Sequence, residues 1–522
     1  MGRFFNTTGP CNPERHFMLP PEDRLVGAQL HRYIKDELYW MLHAPRQTGK
    51  TTFLRSWMRK LNASDNYIAC YVSVEEAQGK TQATVAIPII CDAIKAYASR
   101  ANIPIPTTDE VMPETMLSNI MCNWAKICDP KPLVVLFDEV DVLEGDAMVS
   151  FLRQLRSGFA DKGVGKFPIS VALVGLRDLR DYLVSAKDGV PINPGSPFNI
   201  KKDSATLSNF SKENIEKLFA QRTEETGQKI TAEAMDYVWE QSQGQPWLVN
   251  SFFDRATTRA LDDEDYSTVQ LKHVREARKQ MIEGRETHLD SLYYRLQDPR
   301  VREVIETIVS GEQNLNISLD NPEVQLTMDL GLVKFSEDKM LTFANPMYAE
   351  IMTRMINSAM QIMMPPRSDF KWQKEDGSLD MDSMLKEFQG FWRRHSEIWE
   401  EKSDYTEAFP HLLLMAFLQR ILNGGGDIDR DAAAGSGRMD LYVKYNDYRC
   451  VIEIKLFRDY DSFKTLKEKA LIQTLRYRDR FDKNTPAYLI IFDRRSEDKK
   501  ADWDSRITWE VDNDNGITVI GV

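Results

Sequence analysis

The chain has 522 residues, 42% of them hydrophobic and 28% charged, with a formal net charge of -12. That length exceeds what one hydrophobic core supports, so about three or four domains are expected, and the balance of residue types excludes a disordered or fibrous protein. The acidic charge excludes a protein that simply coats nucleic acid, although a locally basic groove remains compatible with it.

No run approaches the roughly 20 apolar residues of a membrane helix, so no membrane partner is expected. The first residues, MGRFFNTTGPCNPERH, lack the apolar core of a signal peptide. Cysteines 11, 70, 91, 122, 128 and 450 form no CxxC pairs, which predicts a reducing, cytoplasmic setting without zinc or a disulfide framework.

In chain order, Tyr39 to His43 is a short apolar run leading into Ala44-Pro-Arg-Gln-Thr-Gly-Lys-Thr-Thr52, and Phe53 to Leu61 then has helical spacing. Tyr67 to Val74, Leu133 to Phe137 and Ile169 to Gly175 are further strand candidates. The unbroken run Leu-Val-Val-Leu-Phe marks a strand buried on both faces of a parallel sheet. With helical patterns between them, residues from about 20 to 200 read as an α/β domain. From Leu207 only helices are expected, with Ser211 and Thr231 as N-caps, ending near Leu261. Residues 297–358 suggest two helical stretches and a hairpin, Leu332 to Phe335 with Met340 to Phe343, as in a winged helix. Met363-Met-Pro-Pro-Arg-Ser-Asp369 reads as a linker, because two prolines cannot continue a helix.

The stretch from Ala44 to Thr51 nearly fits GxxxxGK[ST], with Ala44 in place of the first glycine. Gly49 lets backbone N–H groups curl toward phosphate oxygens at a helix start. Lys50 would reach the β- and γ-phosphates, and the Thr51 hydroxyl would hold Mg²⁺. Ala44, Pro45, Arg46, Gln47, Thr48, Gly49, Lys50, Thr51 and Thr52 are therefore candidate ATP-binding residues. Asp138 and Glu139 follow the apolar strand at its carboxyl end, where open α/β sheets bind ligands. Asp138 is expected to bind Mg²⁺ through water and Glu139 to polarise the attacking water. The plain alternative for Asp-Glu-Val-Asp141 is a solvated loop.

These motifs, with Gly244-Gln-Pro-Trp-Leu-Val249, make residues 1 to about 360 resemble the archaeal-type ATPases of the STAND clade of AAA-related NTPases. The resemblance implies that Gly244 and Pro246 lie on a lid turn touching the nucleotide, followed by a winged helix. No polar sensor residue stands in Gly175-Leu-Arg-Asp-Leu-Arg180, which predicts slow or switch-like hydrolysis. Arg177 and Arg180 are candidates for the γ-phosphate, and Arg153 and Arg156 for a neighbouring subunit's site. Surface or helix-capping roles are the alternative.

Toward the C-terminus, Arg438-Met-Asp440 opens one strand and Tyr448 to Lys455 is its return, turning at Asn446 and Asp447. Val451, Glu453 and Lys455 share one strand face. Asp440 and Glu453 would hold Mg²⁺ or Mn²⁺ against a phosphodiester, and Lys455 would orient the attacking water. The plain reading is a half-buried strand with exposed charges. The set resembles the PD-(D/E)XK nucleases, which implies supporting roles for Glu407 and for Gln473, one turn from Tyr477. It also aligns Asp431 and Gly435-Ser-Gly-Arg438 with a segment found where such domains are fused to these ATPases. Lys464, Lys467, Lys469, Arg476, Arg478 and Arg480 are candidate phosphate contacts or ordinary solvated charges.

The expected fold class is α/β and multidomain: a P-loop parallel-sheet ATPase core (1–205), a helical lid (206–290), a winged-helix-like domain (291–362), a linker (363–380) and a restriction-endonuclease-like α/β domain (381–522). The expected activity is ATP hydrolysis coupled to a metal-dependent nuclease acting on DNA in defence or mobile-element biology, with a homo-oligomer among the expected partners. The rivals are an ATP-dependent switch that binds nucleic acid or a partner without cutting, and an ATP-driven DNA motor or loader.

Overall fold

A computed structural model describes residues 2–26, 30–108, 111–160, 162–163, 165–176, 201–261, 267–284, 287–310, 321–337, 339–363, 374, 378–402, 413–418, 426–429, 441–445, 447–495 and 502–522. They fall into two compact units. One comprises Met1–His288 with Gln325–Lys334 and Ala344–Pro346; the other comprises Leu289–Val324, Phe335–Phe343 and Met347–Val522.

The first unit is built on β1 (Leu25–Val26), β2 (Tyr39–His43), β3 (Ile68–Ser73), β4 (Leu133–Asp138), β5 (Ser170–Gly175) and β6 (Lys201–Leu207), in the order β1-β6-β2-β5-β4-β3. All neighbours are parallel except β1 and β6. Alternation along the strands feeds two cores. Met41, Val72, Val135, Phe137 and Val171 face the helices Ala83–Arg100, Pro113–Cys128 and Gly145–Phe159. Leu42, Ala69, Val134, Leu136 and Val174 face the helices Leu30–Lys35 and Lys50–Ala63. This is why β4 reads as one unbroken apolar run. Phe137 is fully buried, 5.2 Å edge-on from Phe151, and its truncation to alanine would cost about 3–5 kcal/mol.

The helices that follow β6 start where their caps stand. Ser211 accepts from Asn214 N at 3.1 Å while its own N–H reaches Asn214 Oδ1, and Gly227 at φ 76° ends the helix Lys212–Thr226. Thr231 caps Ala232–Ser242, and Pro246 opens Pro246–Ala260. The helical pattern does not stop near Leu261: a further helix, Leu271–Glu283, follows. Its buried Val274, Ala277 and Met281 keep helical spacing amid charged residues, which masks the pattern in the sequence. β7 (Lys229–Ile230) and β8 (Thr268–Val269) pair in parallel. Further along, β9 (Val333–Phe335) and β10 (Leu341–Phe343) form a two-stranded sheet. Three helices, rather than two, flank it in sequence: Pro299–Ser310, Pro322–Asp329 and Pro346–Met363.

The second unit holds β11 (Gly426–Asp429), β12 (Leu441–Tyr445), β13 (Tyr448–Phe457), β14 (Ala487–Asp493), β15 (Thr508–Asp512) and β16 (Ile517–Gly521), in the order β11-β12-β13-β14-β16-β15. β13, β14 and β16 are parallel, and the outer pairs are antiparallel. One face packs Val451, Leu489, Ile491 and Val519 with Ala470 and Tyr477 of the helix Phe463–Arg478. On the other, Phe492 meets Phe388 and Trp392 of the helix Met381–Lys402, at 6.1 and 4.9 Å between rings.

Candidate functional site

The loop after β2 closes through its own side chains. Thr48 Oγ1 donates to the Pro45 carbonyl at 2.8 Å. Gln47 and Gly49 take the positive backbone angles, φ 57° and 95°, so the loop does not need one at Ala44, and alanine fits there. Lys50, first residue of the next helix, donates from Nζ to the carbonyls of Ala44 and Pro45 at 2.7 and 2.9 Å. Burial pushes its ammonium down to about 8, against the opposing pull of Asp138 and Asp141.

At the carboxyl end of β4, Asp138 Oδ2 accepts from Thr51 Oγ1 at 2.6 Å and from the Tyr71 hydroxyl at 3.1 Å. Glu139 accepts from Ser73 Oγ at 2.8 Å, and its backbone is left-handed at φ 61°. Such a conformation costs a non-glycine residue about 1–2 kcal/mol. Burial raises both carboxyls above their ordinary range, although the hydrogen bonds to each oppose the rise.

These groups line a cavity of about 580 Å³, a size suited to a nucleotide. Arg46 to Thr52, Asp138, Glu139 and Pro246 all border it, whereas Ala44 and Pro45 stand behind it as acceptors for Lys50. Arg153 and Arg156 lie on the helix Gly145–Phe159 and do not line it. Gly244 is held by packing: at φ 73°, an added Cβ would sit 1.9 Å from the Phe210 carbonyl oxygen, while Phe210 N donates to Gly244 O at 2.8 Å.

The N-terminal segment is the part of this site that sequence reasoning missed. Cys11 N donates to Thr52 Oγ1 at 3.0 Å, and Trp247 Nε1 to the Thr7 carbonyl at 2.9 Å. Phe5 packs against Phe17, Phe219 and Phe253, which ties the segment to the helices Lys212–Thr226 and Pro246–Ala260. Arg24 is buried, donating to Thr48 O at 2.8 Å and Ser208 O at 2.9 Å with its guanidinium 4.8 Å from the Phe210 ring centre. Burial lowers its guanidinium to about 10. Gly-Pro-Cys-Asn-Pro marks a turn here, but nothing local says where that turn docks.

In the second unit, Glu453 Oε1 accepts from Lys455 Nζ at 2.6 Å. The expectation of exposed charges on this strand face does not hold for Glu453, which has no exposed surface, while the Lys455 side chain is 25% exposed. The physical reason is the helix Phe463–Arg478, which makes this face a core as well. Gln473 Nε2 donates to the Tyr477 hydroxyl at 3.0 Å on that helix. Lys467 pairs with Glu510, and Arg478 bonds the Asn515 carbonyl, whereas Lys464, Lys469, Arg476 and Arg480 are exposed. Arg177, Arg180, Glu407, Asp431, Gly435-Ser-Gly-Arg438 and Asp440 lie outside the described residues. Among the described residues no cluster of three or more His, Cys, Asp or Glu is placed to hold a metal ion, and no helix is long and apolar enough to cross a membrane.

A parallel sheet with a phosphate-type loop after β2 and paired carboxyls after β4 defines an ATP-binding P-loop ATPase core. The AAA-like domain family matches residues 31–353, and the chain belongs to that family. In fold it is similar to a Walker-type ATPase of Pyrococcus abyssi, over 66% of this chain and 99% of that one, at 13% identity and a TM-score of 0.46. It is also similar to Cdc6p from Pyrobaculum aerophilum (63% and 91%, 16% identity, TM-score 0.37). A third likeness is to the RuvB Holliday junction branch migration motor of Thermotoga maritima (60% and 88%, 11% identity, TM-score 0.34). No curated protein matches the chain.

Proposed function

We propose that ATP hydrolysis in the first unit governs a metal-dependent nuclease in the second, acting on DNA in a defence or mobile-element setting. The observation that carries the ATPase half is the 2.6 Å contact between Thr51 Oγ1 and Asp138 Oδ2, beside Lys50. A hydroxyl and a carboxylate meeting there are the hard oxygen donors that suit Mg²⁺, so Thr51 and Asp138 are the residues that would hold it. When bound, Mg²⁺ supplies charge neutralisation on the phosphate oxygens. Lys50 binds the terminal phosphates, and Pro246 bounds the nucleotide from the lid. Glu139, with its carboxyl raised by burial, takes up a proton from water more readily than an exposed carboxylate does.

The nuclease half rests on Glu453 and Lys455 in contact on β13, beside a helix carrying Gln473 and Tyr477, in a mixed sheet that begins β12 directly after Asp440. Asp440 and Glu453 are the donors of the type that suits Mg²⁺ or Mn²⁺, with Glu407 in support. The second reading, an ATP-dependent switch that binds nucleic acid or a partner without cutting, is favoured by one observation: the Glu453 carboxylate is fully buried against Lys455. Cleavage of linear, nicked and single-stranded DNA with Mg²⁺ or Mn²⁺, with and without ATP, decides between the two. Cutting that disappears in Glu453→Ala while ATP turnover persists supports the nuclease. Turnover without cutting by the unaltered chain supports the switch.

A further inference from the structure

The face of β13 that carries Glu453 and Lys455 continues one step further to Phe457, which is half-buried against the same core. Phe457 is braced on two sides. The Phe463 ring meets it edge-on at 5.3 Å between ring centres, and the Arg495 guanidinium stands 4.5 Å from its centre. Both carboxylate oxygens of Asp493 hold that guanidinium, at 2.9 and 2.7 Å. Between strand and helix, residues 458–461 form a turn closed on itself. Arg458 N donates to Asp461 Oδ2 at 2.9 Å, and Asp461 N donates to the Arg458 carbonyl at 3.0 Å. The turn presents Tyr460 to solvent at 75% exposure, and Phe463 beyond it is 46% exposed. Arg458 Nη1 donates to the Tyr460 hydroxyl at 2.7 Å, which orients the ring. Aromatic surface that is exposed and held in place marks a binding surface rather than a core.

The charges around this turn select the partner. Residues 457–469 and 493–495 carry six lysines and arginines against four carboxylates, a local excess of cations in a chain of net charge -12. Two of those carboxylates, Asp461 and Asp493, are taken up by the bonds just described. Lys467 answers Glu510 outside the group, whereas Lys464 and Lys469 are exposed. We propose that Tyr460 and Phe463 form a stacking platform for the unpaired bases of single-stranded DNA, with Lys464 meeting its phosphates. The inference rests on the reading that this unit acts on DNA, and it deepens that reading by naming the state of the strand. In a duplex each base is covered on both faces by its neighbours, so an aromatic side chain stacks only on an unpaired base. At most about 11 Å of chain separates the Cα atoms of Tyr460 and Phe463, a span that neighbouring bases of one strand bridge. Phe457 lies two residues beyond Lys455, about 7 Å along the strand, which sets the platform beside the Glu453–Lys455 pair.

The test measures equilibrium binding of a short single-stranded DNA, the matching duplex and RNA of the same sequence to the full chain. It is run in EDTA, which prevents cutting, because stacking and phosphate contacts of this kind need no metal. The single-stranded DNA is expected to bind about tenfold or more tightly than the duplex. Tyr460→Ala is expected to weaken it about tenfold, the value of one stacked base, while Tyr460→Phe, which keeps the ring, stays within about twofold of the unaltered chain. Lys464→Gln is expected to lower the slope of log affinity against log salt by about 0.7, and Tyr460→Ala to leave that slope unchanged. A merely structural role for these side chains would not separate the two variants in this way. Equal binding of single strand and duplex by the unaltered chain overturns the inference while leaving the DNA reading standing, and it needs no variant to fold. Unchanged affinity in Tyr460→Ala overturns it too, and tighter binding of RNA than of DNA overturns the choice of DNA. Failure of all three to bind overturns the inference, and absence of cutting with Mg²⁺ as well overturns the nuclease reading with it.

Discussion

The two six-stranded sheets place their charged side chains differently. In the first, Leu133 to Phe137 of β4 are apolar and fully buried, and Asp138 and Glu139 come only at the strand's carboxyl end, beside a cavity. In the second, Glu453 sits in the interior of β13, between Val451 and Lys455 on its own face and beside core residues Leu489 and Ile491 of β14. A site at a strand end can be altered without emptying the core. A carboxylate inside a strand is site and core at once, because desolvating it costs several kcal/mol that its neighbours must offset.

The largest effect expected from this contrast is in the first unit. Lys50→Ala should reduce ATP turnover about 10³-fold, or ~4 kcal/mol of transition-state stabilisation, while leaving the unliganded melting temperature within about 2 °C. A large fall in melting temperature would show that the P-loop is part of the core after all. The next largest is in the second unit. Lys455→Ala, by removing the ammonium from a fully buried carboxylate, should cost about 3 kcal/mol in urea unfolding. Replacing both members by apolar residues, Glu453→Leu with Lys455→Met, should restore most of that loss. A cost below about 0.5 kcal/mol for Lys455→Ala would erase the distinction between the two sheets.

What the sequence disclosed follows the same divide. The P-loop, the acid pair and the buried β4 were legible because each is a short run whose residue types are dictated locally. The helix caps Ser211 and Thr231 were legible for that reason too. β6 was not, since Lys-Lys-Asp-Ser-Ala-Thr-Leu has no apolar pattern and becomes a strand by pairing with β2. Arg24 was not, since its partners Thr48 and Ser208 are distant in sequence. The alternation on β13 showed which side chains share a face. It could not show that a helix covers that face and buries Glu453.

A third experiment asks whether the turn at Gly244 is as intolerant as the strand interior. Gly244→Ala should destabilise the protein by about 2 kcal/mol, since the new Cβ would meet a backbone carbonyl that cannot rotate away and the backbone is left-handed. Gly227 at φ 76° has open space around it, so Gly227→Ala should cost only the backbone strain, about 1 kcal/mol. Equal losses in the two variants would mean that packing against Phe210 contributes nothing.

The smallest effect is a pH trend that belongs to the first sheet. Lys50 in the unliganded protein titrates at about 8 rather than its ordinary 10.5, because burial disfavours the ammonium. Between those values the unfolded chain binds more protons than the folded one, so stability rises with pH across that window. The burial penalty is complete below about pH 8 and gone above about 10.5. Phosphate binding needs the charged form, so ATP affinity should move the other way. It should fall about tenfold from pH 7 to 9, or ~1.4 kcal/mol, while unliganded stability rises. Lys50→Arg, whose guanidinium keeps its proton, should flatten both curves. Affinity that stays level to pH 9 would mean that Lys50 remains charged in its cavity, with its burial cost offset by the nearby carboxylates Asp138, Asp141 and Glu139.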